Sequence, residues 1–207
     1  MSAKTSKFAK KGLIIVTSAP SGAGKTTICR KLLKRLENTV ASVSVTTRKP
    51  RGQEKNSKDY FFVSDKIFRN MASRNEFAEW ALVHGHYYGT PKKLLENTIN
   101  RGKNIILVID VQGGEKIKKL YPGEVFVFIV PPSKKALRQR LIKRAQDSST
   151  TIDMRLRNAE KEMSYARDYD YLVVNDKIDE AVNKVIAIVT AEKCRITRMP
   201  DSQLKLR

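Results

Sequence analysis

The sequence predicts an α/β fold: a parallel core sheet flanked by helices, with an inserted lobe and a helical lid. Three observations carry that prediction. Apolar runs of strand length alternate with segments of helical period, the pattern of helices laid over a sheet. Two of the runs, Asn104–Asp110 and Glu124–Val130, are apolar on both faces, as central parallel strands are. A third, Leu13–Val16, feeds Ser18-Ala19-Pro20-Ser21-Gly22-Ala23-Gly24-Lys25-Thr26-Thr27, which reads as a strand end, a tight loop and a helix start in the order of a phosphate site.

The chemistry of that loop follows from its residue types. Gly22 and Gly24 let successive N–H groups turn inward without a Cβ in the way. Lys25 supplies a mobile positive charge for β- and γ-phosphates, and Thr26 a hydroxyl for Mg2+. Ala19 stands where the general G-x-x-x-x-G-K-[ST] pattern has its first glycine, which is tolerable if that residue keeps a negative φ.

The charge is unusual. Lys and Arg number 41 against 21 Asp and Glu, a formal net charge of +20 over 207 residues. Such an excess favours polyanionic partners, and phosphorylated small molecules satisfy it as well as nucleic acid does. No homeodomain, finger or RNP-like signature accompanies it, so nucleic acid is not the expected partner. Part of the excess sits in an N-terminal arm, 1–11, and a C-terminal tail, 196–207. No apolar run approaches the length of a membrane span, and the arm lacks the apolar region of a signal peptide. Cys29 and Cys194 have neither a C-x-x-C nor a histidine partner, which argues for a reduced, cytoplasmic setting without zinc or disulfide. Oligomeric state is left open.

Each element has its own signal. Thr26–Leu36 is expected as a helix, with Ile28, Leu32 and Leu36 opposite Arg30, Lys31, Lys34 and Arg35. Ala41–Val45 reads as a short alternating strand leading into the basic loop Thr46–Gly52. Lys58–Val63 reads as a strand, Asp65–Arg74 as a short helix, and Glu76–Val83 with Gly85–Pro91 completes a lobe over 38–91 whose segments are too short for βαβ repeats. Phe77 and Trp80 are expected in the core, and His84 and His86 as surface or packing residues. Leu94–Arg101 and Gln112–Leu120 are helices. Ser133 caps a helix that turns Leu137 and Leu141 inward, and Gln146–Thr150 forms a polar hinge. The next helix puts Ile152, Leu156, Ala159 and Met163 on one face; Asp170–Asn175 is the last strand and Glu180–Lys193 the last helix. The expected division is a core of 12–37, 92–133 and 158–195, the lobe 38–91 and a lid 134–157.

Two arginine groups point beyond a generic nucleotide hydrolase. Arg138, Arg140, Arg144, Arg155 and Arg157 surround the polar hinge, as a lid that neutralises a transferred phosphoryl group would require. Arg48 and Arg51, with Ser44, Tyr60 and Tyr88 within reach if the lobe folds over them, make a second anion site facing the first. Two facing sites imply a phosphorylated acceptor. A phosphate acceptor is already ionised near neutral pH, so alignment and charge neutralisation carry the rate without a general base. Asp110, closing a buried strand, is expected to face the metal or the substrate.

Several motifs in order give the chain a family resemblance. Ser18–Lys25, Ser44-Val45-Thr46-Thr47-Arg48-Lys49-Pro50-Arg51-Gly52, Asp59–Val63, Phe77-Ala78-Glu79-Trp80, Gly85-His86-Tyr87-Tyr88-Gly89-Thr90, Asp110-Val111-Gln112-Gly113 and Tyr169–Asn175 together resemble guanylate kinase of the bacterial type, from about Gly12 to Arg195. Bacterial members also carry alanine at the position of Ala19. The resemblance implies the P-loop nucleoside monophosphate kinase fold and Mg2+-dependent transfer of the ATP γ-phosphoryl to GMP or dGMP. By motif, Arg48, Arg51, Tyr60 and Tyr88 would hold the GMP phosphate, Ser44, Glu79 and Thr90 would read the guanine, and Asp110 would lie near the guanine or Mg2+. Glu79 also has a physical rationale, because a carboxylate accepts from guanine N1–H and N2–H2 whereas adenine presents an acceptor at N1. The resemblance assigns Ala19 to Thr27 to ATP, Lys25 and Thr26 to phosphates and Mg2+, Arg140, Arg144 and Arg155 to transfer, and Asn175 to the neighbourhood of the adenine. The alternative is a catalytically silent, guanylate-kinase-like scaffold that binds phosphopeptides; it would show an eroded loop or lost lid arginines.

Overall fold

The computed structural model describes residues 11–83, 85–143 and 149–199. Along the chain they form β1 (Ile14–Ser18), α1 (Lys25–Arg35), β2 (Thr39–Ala41), β3 (Val45–Thr46), β4 (Phe61–Phe62), α2 (Asp65–Ser73), β5 (Phe77–Val83), β6 (His86–Pro91), α3 (Lys92–Asn100), β7 (Asn104–Val108), α4 (Val111–Leu120), β8 (Val125–Val130), α5 (Lys134–Lys143), α6 (Ser149–Ser164), β9 (Tyr171–Val174) and α7 (Ile178–Lys193). Five strands in the order β2-β7-β1-β8-β9 make an all-parallel core sheet. Four more, in the order β4-β3-β6-β5, make a mixed second sheet.

Every residue of β1 and β8 is buried, because helices cover both faces of the core sheet. Alternate side chains therefore enter two different cores. Ile15, Val127 and Ile129 meet Ile28 and Leu32 of α1 and Val182, Val185 and Val189 of α7. Ile14, Val16 and Phe126 meet Leu95 and Ile99 of α3 and Ile117 of α4. Parallel strands end at one edge, so that edge gathers the loop after β1, Asp110 after β7 and Asn175 after β9.

The second sheet has its own small core. Phe68 of α2 stacks on Phe77 and Tyr87 with ring centroids 4.6 and 5.2 Å apart, and Val45 joins them. Glu79 and Thr90 face each other across β5 and β6, and Thr46 faces Tyr88 across β3 and β6. Cross-strand register is thus what assembles the polar side chains of this lobe.

Several expectations need correction. The single strand over Ala41–Val45 is two: Ser42 N–H donates to the Ile106 carbonyl at 2.9 Å as the last bond to β7, and the chain then crosses to the other sheet. Thr39–Ala41, included in the lobe 38–91, therefore belongs to the core sheet. The strand over Lys58–Val63 shrinks to Phe61–Phe62, since Lys58 and Asp59 N–H groups turn back onto the Lys55 carbonyl. Trp80 is not core: it lies 40% exposed at the margin of the lobe's aromatic cluster, edge-on to Phe68 and Tyr87, with the Lys116 ammonium 5.1 Å from its ring centre. Met163 is likewise 39% exposed, past the end of the stripe that Ile152, Leu156 and Ala159 lay on Leu137 and Leu141. β7 stops at Val108, and Asp110 caps α4 instead of closing the strand. Arg144, His84 and residues 146–148 of the expected hinge lie outside the described residues, as do 1–10 and 200–207.

Candidate active site

The phosphate loop takes its shape from two left-handed glycines, Gly22 at φ 89° and Gly24 at φ 99°, between which the Ala23 N–H donates to the Pro20 carbonyl at 3.0 Å. Among the described residues only Asn38, Ser57 and Asn75 are non-glycine residues with positive φ, so Ala19 keeps the ordinary backbone its place requires. Gly24 is also the N-cap of α1, which aims the free N–H groups and the positive end of that helix at the loop. Lys25 lies half-buried, its Nζ donating to the Ile109 carbonyl at 3.2 Å. Burial lowers its pKa, and the charges of Glu162 and Asp110 oppose that shift. Thr26 and Thr27 are exposed on the first turn of α1.

A node holds the loop from the side of β9. Asn175, 3% exposed, donates from Nδ2 to the Ala23 carbonyl at 2.6 Å, and a Cβ on Gly24 would strike that amide nitrogen. Arg140 of α5 donates from Nη2 to the Asn175 carbonyl at 2.8 Å. Gly22, Gly24, Arg140, Lys143, Asn175, Asp176 and Ile178 line a cleft of about 290 Å3 on this side.

The opposite wall comes from the lobe. A cleft of about 340 Å3 is lined by Gly22, Gly24, Lys25 and Thr26 on one side and by Ser44, Arg51, Tyr60, Glu79 and Tyr88 on the other, with Asp110 and Glu162 between them. Arg48 lies just behind, 6% exposed, its Nε donating to the Tyr88 hydroxyl at 3.2 Å and its Nη2 to Glu54 Oε1 at 3.0 Å. Glu54 Oε2 accepts from the Arg51 N–H at 2.8 Å, so one carboxylate orders both arginines of the basic loop. The hydrogen bond from Arg48 holds the Glu54 carboxyl below its ordinary pKa.

Glu79 is the most perturbed acid of the cleft. It is 6% exposed, and its Oε1 accepts from the Thr90 hydroxyl at 2.6 Å. Burial raises its pKa to about 7; the Asp110 charge adds to that, while the Thr90 hydroxyl works against it. A site that keeps a carboxylate this dry is poised to exchange water for a ligand's paired donors. Asp110 accepts from the Gly113 N–H at 2.9 Å through Oδ1, so it serves α4 while its charge reaches the cleft.

The structure thus gathers Ala19, Pro20, Ser21, Gly22, Gly24, Lys25, Thr26, Ser44, Arg51, Tyr60, Glu79, Tyr88 and Asp110 around one cleft, with Arg48 and Thr90 directly behind it. Arg140 and Asn175 line the second cleft instead. Ala23 and Thr27 belong to the loop and helix start without lining either cleft, and Arg155 lies half-buried on α6 outside both. Arg138 and Arg157 are exposed and line neither cleft.

Two acids escaped the sequence reading. Glu54 is a carboxylate three residues after Arg51 in an otherwise basic loop, a signal that was available. Glu162 stands seven residues after Arg155, two helical turns on, and only the packing of α6 shows that it reaches the loop. Among the described residues no helix is long and apolar enough to cross a membrane.

A guanylate kinase family model matches residues 11–192. A guanylate kinase of Caldanaerobacter subterraneus subsp. tengcongensis is 46% identical over 198 residues, covering 96% of either chain. One from Thermotoga maritima is 46% identical over 191 residues, 92% of each. The crystal structure of guanylate kinase from Anaplasma phagocytophilum superposes with a TM-score of 0.76 at 38% identity, over 91% of this chain and 90% of that one. The chain belongs to the guanylate kinase family.

Proposed function

We propose that the protein transfers the γ-phosphoryl group of ATP to GMP and dGMP, giving ADP and GDP or dGDP. The observation that carries this reading is the shared cleft: the phosphate loop and the Glu79, Arg51, Tyr60 and Tyr88 side chains line one space. Arg48, Arg51, Tyr60 and Tyr88 bind the acceptor phosphate as a cationic and hydroxylic wall, and Arg48 is pre-set by Glu54. Glu79, held by Thr90, accepts from guanine N1–H and N2–H2, with Ser44 beside it. On the donor side the loop N–H groups and Lys25 hold the ATP phosphates, and Arg140 and Asn175 border the space beside the loop for the rest of the nucleotide. Arg140, Arg155 and Arg144, the last outside the described residues, bring lid charge to the transferred group.

Mg2+ fits the donors present. Thr26 exposes a hydroxyl beside Lys25 in the cleft, and Asp110 adds a carboxylate there, the hard oxygen chemistry that a largely hydrated Mg2+ takes. Thr26 would hold the ion, which when bound neutralises charge on the phosphates. A cytoplasmic location belongs to the same proposal, since both substrates occur there as free nucleotides.

The test is ADP release from ATP and Mg2+ with GMP, AMP, CMP and UMP offered separately, with Glu79→Gln assayed beside the parent. Turnover on GMP alone, with kcat/KM down about 100- to 10,000-fold in the variant, is expected. A protein that binds GMP and turns over none of the four would support the silent scaffold instead.

A further inference from the structure

Arg48 is the buried cation of the lobe, 6% exposed and standing behind the cleft wall. Its guanidinium is engaged along its edges. Nε donates to the Tyr88 hydroxyl at 3.2 Å and Nη1 to the Lys49 carbonyl at 2.7 Å, while the outer edge forks onto Glu54, with Nη2 to Oε1 and Nη1 to Oε2 both at 3.0 Å. The ring centres of Tyr60 and Phe62 lie 5.3 and 5.9 Å from its central carbon. Among the described residues Glu54 is the one carboxylate paired with it. A buried cation stripped of such a partner is costly, and turning it out to water is the cheaper arrangement.

Glu54 holds this position because the loop closes on itself. Its Oε2 also accepts from the Arg51 N–H at 2.8 Å, and its own N–H donates to the Arg51 carbonyl at 3.1 Å. The carboxylate is therefore fixed at the backbone of one arginine while it forks the side chain of the other. At the far end of these contacts stands Tyr88, which lines the cleft. A tyrosine hydroxyl that accepts from Arg48 keeps its single proton for another acceptor, and the cleft is where such an acceptor can stand.

We propose that Glu54 is a positioning residue for the acceptor's phosphate. It touches no substrate; it holds the Arg48 guanidinium, and through Arg48 the Tyr88 hydroxyl, so that a buried positive charge and an oriented O–H face a phosphate monoester together. The proposal rests on the assignment of the lobe's anion site to the acceptor phosphate. Its sign is distinctive, because removing a carboxylate near an anion site relieves like-charge repulsion and by itself tightens phosphate binding, whereas loss of positioning weakens it. Its scope is distinctive too. A loosened lobe would bind guanine less well, but Glu54 bonds to the basic loop and not to the Glu79–Thr90 pair, so its effect falls on the phosphate alone.

The experiment is calorimetric titration of GMP, and of guanosine, which lacks the phosphate, into the parent, Glu54→Gln, Arg48→Met and the double variant. Glu54→Gln is expected to bind GMP about 10- to 100-fold more weakly, the loss of a charge-assisted contact, with guanosine affinity within about twofold of the parent. In the Arg48→Met background, where no buried cation remains to be held, the same change should move GMP affinity by less than about twofold. Glu54→Asp keeps the charge and withdraws it by one methylene; it should lose about three- to tenfold for GMP alone, and it supplies the reading if Glu54→Gln does not fold. GMP binding that is unchanged or tighter in the Glu54 variants overturns the proposal. So does guanosine binding weakened as much as GMP binding, or a loss in the Arg48→Met background as large as in the parent. A parent that binds guanosine as tightly as GMP overturns the anion-site assignment, and the proposal with it.

Discussion

Gly113→Ala separates the geometry of the proposed guanine reader, Glu79, from fold stability. Gly113 lies in the first turn of α4, where a Cβ would stand 2.7 Å from Glu79 Oε2, 3.1 Å from its Cδ and 3.2 Å from Asp110 Oδ1. The Gly113 φ is not left-handed, so alanine suits the helix and contributes about 0.5–1 kcal/mol there. Against that stands the close approach to Glu79, an overpacking cost of about 1–3 kcal/mol if nothing moves. Glu79 can move, because its carboxyl end borders the cleft, but only by giving up the 2.6 Å bond from Thr90 and entering the space proposed for guanine. The fold therefore loses little, with Tm within a few degrees of the parent. GMP binding carries the displacement instead, and its KM should rise about 10- to 100-fold, equivalent to about 1.4–2.8 kcal/mol, while the KM for ATP stays within about twofold. Steady-state kinetics with each substrate varied in turn and a thermal melt decide it. A GMP KM within about twofold of the parent would refute the claim that the Gly113 backbone sets the Glu79 position.

Two further outcomes follow from groups around the same cleft. Glu79 has a folded pKa of about 7 against an ordinary value of 4.5, so it holds its proton more tightly folded than unfolded. Its ionisation costs stability: the cost is absent below the ordinary value, grows as pH rises from there to about 7, and is constant above. Glu79→Gln should accordingly melt higher than the parent at pH 8 and equal to it at pH 4, and the opposite trend would show that the carboxylate is not desolvated in solution. The proposed reading of guanine needs the ionised form, so GMP affinity should fall about tenfold from pH 8 to pH 6 in the parent beyond any fall in Glu79→Gln. Gly24→Ala forces a side chain onto a left-handed φ of 99° and into the Asn175 amide. It should cost about 2–4 kcal/mol and abolish measurable ATP binding while GMP still binds, checked by denaturant melts and by titration with each nucleotide.

The parallel sheet, its central strands and the phosphate loop were legible because each is a local pattern. A run such as Val125-Phe126-Val127-Phe128-Ile129-Val130 has one stable environment, a strand covered on both faces. Gly22, Gly24, Lys25 and Thr26 are informative because a left-handed turn, a mobile cation and a hydroxyl must occur at fixed offsets. Glu79, Thr90, Arg48 and Tyr88 were nameable as a set through the family's motifs. Nothing in composition or periodicity said that Glu79 would stand across from Thr90.

What the tertiary structure alone decided is which neighbours each polar group receives. Thr39–Ala41 and Val45–Thr46 look alike as strands, and only sheet order assigns them to different layers. Trp80 and Phe77 share a strand and an apolar character, yet lobe packing buries one and leaves the other under a lysine. Glu54 became the partner of Arg48 and Arg51 by loop closure, and Glu162 came to line the cleft beside the loop from far along the chain through the packing of α6 on α5. Secondary structure depends on neighbours in sequence, so one sequence determined it well. Burial, pairing and proton affinity depend on neighbours in space, and the fold had to be in hand before those could be assigned.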